Sequence, residues 1–174
     1  YFGQHIGGVL QWSNVYSGNI TIKFDMSAVV DQPDASVGFV PSNVVPLYRE
    51  EYIAHYYAHH AIMVALVAGK DGIDFKAING ENWESDAGYK KNTVYHVRIE
   101  ANMNKHFYKV FVSADGMAEK QIGGDLAFRT RSQVPDDPAN DLVPVATDIA
   151  MVVVAGNKAN DLYMDKLVIT DDTK

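Results

Sequence analysis

Hydrophobic and polar residues alternate with a period of two over much of this chain. In the run 19–26, Ile20, Ile22, Phe24 and Met26 fall on one side, and Asn19, Thr21, Lys23 and Asp25 on the other. A strand with one face in a core and the other in water has this pattern. Residues 94–101 repeat it, a polar turn at 102–105 follows, and 107–112 returns as a partner that ends before Asp115 and Gly116. The run 61–68 is apolar throughout, as a central strand buried on both faces would be. Gly69, Lys70, Asp71 and Gly72 then turn the chain into 73–78.

Further strands are predicted at 35–40, ended by Pro41, and at 150–154 and 162–170 with a turn over 156–161. About ten short strands at regular spacing predict an all-β fold, a two-sheet antiparallel β-sandwich. Helix is confined to one or two short turns near 43–55, where Pro46 and the residues after it can start one. The stretch 135–138 reads as a long loop, because strands follow it. With no internal repeat and no break in composition, residues 1–174 are expected to form a single sandwich domain.

Composition narrows the partners. The net charge of −7 repels phosphate backbones, so no nucleic acid is expected as a partner. The same charge disfavours a strongly anionic polymer unless a local basic patch exists. The absence of cysteine excludes disulfides, thiol chemistry and thiolate metal sites. The apolar run 61–68 is far too short to span a membrane. The chain begins at Tyr1, not Met, and is expected to be a processed or excised piece whose charged end at 171–174 leads into a linker.

Candidate chemistry centres on aromatic residues. Tyr48, Tyr52 and Tyr56 recur every four residues, with Trp83 and Tyr89 downstream and Arg49, Asn79 and Asn82 close by in sequence. Sugar rings present apolar C–H faces ringed by hydroxyls, so flat aromatic rings beside planar polar groups suit them. Trp83 sits in a polar stretch that reads as a loop, where core burial explains a tryptophan least well. The competing explanation for all of these rings is ordinary core packing. His55 and His59 have the i, i+4 spacing of a helical metal pair, but no Glu follows His55, and surface or hydroxyl-bonding histidines explain them better. No nucleophile elbow, phosphate loop or dinucleotide fingerprint is present.

The runs Tyr95-His96-Val97-Arg98, Tyr108-Lys109-Val110-Phe111-Val112 and Leu126-Ala127-Phe128-Arg129 carry a resemblance. They resemble the concanavalin A-like (laminin-G-like) sandwich modules, with jelly-roll topology, that are appended to secreted bacterial polysaccharide-degrading enzymes. The similarity reaches upstream to 36–39 and 77–80, and the chain departs from it at 48–60. It implies a secreted, extracellular, non-catalytic carbohydrate-binding module, fused to catalytic or cell-surface modules, that holds an attached enzyme on a plant or algal cell-wall polysaccharide. The closing run 161–169 is similar to the last strand of many such modules, where an aspartate helps hold a structural calcium. On that resemblance Asp25, Asp161 and Asp165 are the expected metal ligands.

Two other readings stay open. A sandwich hydrolase would need a Glu-x-Asp-x-x-Glu strand, which is absent, whereas a lyase could draw on the Tyr and His residues of 52–60. A structural or protein-binding spacer domain is the other.

Overall fold

The computed structural model describes residues 5–43, 60–129, 146–156 and 162–173. Eleven strands run through them: β1 (His5–Ser17), β2 (Asn19–Ala28), β3 (Asp34–Val40), β4 (Ile62–Gly69), β5 (Gly72–Asn79), β6 (Asn82–Tyr89), β7 (Tyr95–Asn102), β8 (Phe107–Ala114), β9 (Met117–Ala127), β10 (Asp148–Gly156) and β11 (Leu162–Asp171). They form a six-stranded sheet in the order β1-β10-β3-β4-β5-β6 and a five-stranded sheet in the order β11-β2-β7-β8-β9. Every pairing is antiparallel. The all-β sandwich expected from the alternation is therefore the fold; the segment where a short helix was expected lies outside the described residues apart from Asn43 at its edge.

The core lies between the sheets and follows the alternation directly. Ile20, Ile22, Phe24 and Met26 of β2 are buried, and their register partners Ala101, Ile99, Val97 and Tyr95 on β7 share the face. Phe24 meets Phe39 of the other sheet with ring centroids 5.9 Å apart. Full burial of one such side chain contributes about 1.5–3 kcal/mol, which makes this face the main source of stability. Tyr108 is wholly buried, its hydroxyl donates to the Ile78 carbonyl across the sandwich, and burial pushes its phenol far above the ordinary range.

On its outer side, too, the six-stranded sheet is mostly apolar where β3, β4 and β10 run. Gly38 and Val40 of β3, Met63 and Ala65 of β4, and Met151 and Val153 of β10 alternate with the core-facing residues. The side chains among them are all nearly inaccessible. The both-faces-buried strand expected at 61–68 is thus β4, and β3 and β10 share that character.

Three strands were not legible as strands. β1, β6 and β9 are edge strands rich in polar residues and glycine, so they lack the apolar alternation of the interior ones. Trp83 accordingly lies in β6 and not in a loop. Gly80, at φ 60°, lets the chain turn tightly so that Asn79 pairs with Asn82, and Ile78 with Trp83.

Candidate functional site

The outer face of the five-stranded sheet is polar, and it carries an open groove of about 310 Å³. Alternation builds it. With Ile22, Phe24 and Met26 turned inward, Lys23 and Asp25 of β2 must point out. Register then sets Arg98 of β7 opposite Lys23, and His96 opposite Asp25. On β8, Phe111 lies opposite Arg98 and Ser113 opposite His96. Glu119 of β9 and Lys166 of β11 complete the lining.

Lys166 reaches the groove through an irregularity. The β2–β11 register shifts between Asp165 and Val168, and Lys166 has φ 54°, in the left-handed region that L side chains rarely adopt. The bulge exposes two successive residues, 165 and 166, where simple alternation would turn one of them inward. The Asp165 carboxylate accepts from the Lys166 amide at 2.7 Å and steadies the turn.

Two ion-paired units line the groove. Asp25 Oδ1 lies 2.6 Å from His96 Nδ1, and Asp25 Oδ2 accepts from Lys166 Nζ at 2.7 Å. An ionised carboxylate only accepts, so His96 carries its proton on Nδ1. Burial raises the Asp25 carboxyl, but the bonds from Lys166 and His96 more than offset this and hold it below the usual range. The same contact raises the Lys166 ammonium. In the second unit, Arg98 grips Glu119 with two donors, Nε at 3.1 Å and Nη2 at 2.6 Å, and gives Nη1 to Glu100. Its guanidinium carbon lies 3.9 Å above the Phe111 ring. The Arg98 bonds lower the Glu119 carboxyl, and the Glu119 contact raises Arg98.

These shifts set a pH dependence with a definite sign. The Asp25 and Glu119 carboxyls lie lower in the folded chain than in the unfolded one. Their contribution is fully present above the ordinary carboxyl range and is lost as pH falls through the folded values. Lys166 lies higher when folded, so its contribution is present below the ordinary lysine range and is lost as pH rises through its raised value. As far as Asp25, Glu119 and Lys166 are concerned, the melting temperature should be level between about pH 5 and about pH 9 and decline below about pH 4. Thermal melts across that range check it, and the acid decline should be small because the pairs are partly exposed.

The residues expected from sequence scatter. Tyr48, Arg49, Tyr52 and Tyr56, together with His55, His59 and Asp161, lie outside the described residues. Tyr89 is 5% exposed and packs on Phe75 and Tyr95 at centroid distances of 5.5 and 4.9 Å, so its ring has no free face for a sugar. The positive φ of Gly88 breaks the β6 alternation just before it and lets the ring turn inward. Asn79 serves the fold, donating to Glu84 at 3.0 Å and accepting from the Ala127 amide at 3.0 Å. Trp83 packs against the core cluster and stays partly exposed, and Asn82 is exposed at the hairpin. Both lie on the six-stranded sheet, away from the groove.

Asp25 and Asp165 do face each other across β2 and β11, but they do not fit a calcium ion. Both Asp25 oxygens are taken by Lys166 and His96, and an ammonium fills the place a cation would need. Among the described residues no group of three or more His, Cys, Asp or Glu is arranged to hold a metal. Sequence reasoning missed Lys23, His96, Arg98, Ser113, Glu119 and Lys166 as site residues. The outward-facing polar sets of two strands, and the doublet that breaks the β11 alternation, were the available signals.

No protein-family model and no curated protein sequence matches the chain. Its fold does match solved structures. A sialidase shares it at TM-score 0.56 and 14% identity, over 95% of this chain and 14% of that one. The catalytic domain of a glycoside hydrolase family 131 protein from Coprinopsis cinerea shares it at 0.53 and 10% identity, over 92% and 59%. A galectin of Caenorhabditis elegans shares it at 0.52 and 7% identity, over 97% and 96%. This chain therefore spans less than two thirds of each of the first two proteins. At such identities the likeness shows the fold alone: a jelly-roll sandwich of the concanavalin A-like kind.

Proposed function

We propose that this chain is a non-catalytic carbohydrate-binding module that binds a polysaccharide in the groove of the five-stranded sheet and holds an attached enzyme on it. The observation that carries this is the pair of pre-arranged units, Asp25–His96–Lys166 and Arg98–Glu119, around one open groove. Sugar hydroxyls need donors and acceptors held at fixed angles, and side chains locked by ion pairs provide them without further ordering. Galectins and a glycoside hydrolase share the fold, which agrees with a saccharide ligand.

The electrostatics favour binding over cleavage. A glycosidase keeps one carboxyl protonated near neutral pH to protonate the leaving group, and its pKa is raised for that task. Asp25 and Glu119 are both shifted the other way. An open groove buries little area, so affinity for one saccharide chain is modest, and tethering supplies the rest through effective concentration.

A second contact, at Trp83 and Asn82 on the opposite face, is favoured by the partly exposed indole. Affinity electrophoresis over a panel of polysaccharides tests both. Retarded migration is expected with at least one polymer, and Trp83→Ala should weaken it by less than about tenfold, the loss of one stacking contact. Complete loss in Trp83→Ala would move the ligand to the β6 face. Absence of retardation on every polymer, or release of new chain ends during incubation, would overturn the proposal.

A further inference from the structure

We propose that the saccharide held in this groove is acidic, with a carboxylate or sulfate substituent seated between Lys23 and Lys166. This rests on the reading that the groove binds a glycan, and it follows from counting what the groove has left to offer. Each carboxylate oxygen already accepts: Asp25 Oδ1 from His96, Asp25 Oδ2 from Lys166, and the two Glu119 oxygens from Arg98. Arg98 gives three of its five N–H groups to Glu119 and Glu100 and keeps two. The lysines offer further donors. Lys23 is exposed and forms no ion pair among the described residues, and Lys166 uses one of its three N–H groups.

Charge permits it. Lys23, Arg98 and Lys166 balance Asp25, Glu119 and the Arg98-bound Glu100, so the groove is locally neutral in a chain of net charge −7. The bulge at Lys166 strengthens the argument. Regular pairing through this stretch would turn one of residues 165 and 166 into the core, and the strand instead adopts a left-handed lysine that carries the ammonium across to β2. Asp165 and Asp115 act on Lys166, and Glu119 on Lys23, from outside ion-pair range, so an anion is placed between the two ammonium groups, away from those carboxylates. Lys23 lies two residues along β2 from Asp25, the carboxylate that fixes Lys166, and both lysines line the groove. Hydroxyls of the same sugar would then meet Ser113 and the fixed edges of His96 and Arg98.

The test is affinity electrophoresis of the full chain through gels containing polygalacturonate, dextran sulfate or neutral galactan, with and without added salt. Retention by at least one acidic polymer is expected to exceed that by galactan about tenfold and to weaken with salt, as charged contacts do. Polygalacturonate alone would identify a carboxylate, dextran sulfate alone a sulfate ester, and both the shared anionic chemistry. Lys23→Gln and Lys166→Asn should each lower retention several-fold. Asparagine tolerates the left-handed backbone at 166, so that variant should fold, with a melting curve to confirm it. Lys70→Gln, at the exposed β4–β5 turn, should change nothing. Equal retention on all three polymers, insensitive to both groove lysines, overturns the acidic ligand and leaves glycan binding standing. An equal loss in Lys70→Gln also overturns it, by showing attraction to charge anywhere on the chain. No retention on any polymer removes the glycan reading and this proposal together.

Discussion

Arg98→Ala is expected to weaken polysaccharide retention at least about tenfold while leaving the chain folded. Arg98 sits in the middle of the groove wall, and three things depend on it at once. It fixes both oxygens of Glu119, it ties in Glu100, and its plane covers the Phe111 ring. Without it, Glu119 is released into an unordered carboxylate, and the donors that a sugar would meet on that wall are gone. Charge-assisted hydrogen bonds are worth about 1.5–3 kcal/mol each, so binding should fall by at least about tenfold. The effect on stability should be slight, because Arg98 and Glu119 side chains are 25% and 45% exposed and a pair of that kind contributes about 0–1 kcal/mol. Titration of the Glu119 carboxyl by nuclear magnetic resonance gives a second reading, since it should rise toward the ordinary glutamate range. Arg98→Lys should lose most of the binding too, because an ammonium cannot reproduce the two-pronged grip. Unchanged retention in both variants would show that the groove is not the ligand site.

Gly38→Ala is expected to cost more stability than any single change in the groove. Gly38 lies on the outer face of the six-stranded sheet, opposite Met63 on one side and Val153 on the other. A methyl group there would fall on the imidazole of His60, which is wholly buried with Nδ1 3.2 Å from Met63 Sδ. The glycine is required by space and not by backbone freedom, since its φ is not in the left-handed region. Forcing volume into a filled interior costs about 1–3 kcal/mol or more, which for a chain of this size lowers the melting temperature by roughly 5–10 °C. Combining the change with His60→Ala checks the cause: the two effects should be strongly non-additive, because the second variant removes the ring that the methyl strikes. A melting temperature within about 2 °C of the parent for Gly38→Ala would show that the ring has room to move.

The legibility of this molecule divided along a physical line. Strands β2, β4, β5, β7 and β8 could be read because interior strands carry their environment in their own residues, as a two-residue period or an unbroken apolar run. β6 was hidden because an edge strand is held by one neighbour and can do with little apolar content, so the stretch 79–85 looked like a loop, whereas β11, also at an edge, keeps its alternation and was read. The site was less visible still. Aromatic residues drew attention, yet Tyr89 was spent on the core and Trp83 was half covered by it. Asp25 was recognised as a residue of interest, but its partners are 71 and 141 residues away along the chain.

The residues alone therefore settled that two sheets would face each other and which side of β2 and β7 would meet water. Those are local matters, decided by whether each side chain gains by leaving water. Register, and with it the company kept by Asp25 and Arg98, was settled only when β2 found β7 and β11. A slip of one residue would have turned every side chain to the other face. The bulge at Lys166 belongs to the same class: the strained residue is stabilised by a carboxylate on another strand, and no stretch of sequence contains both.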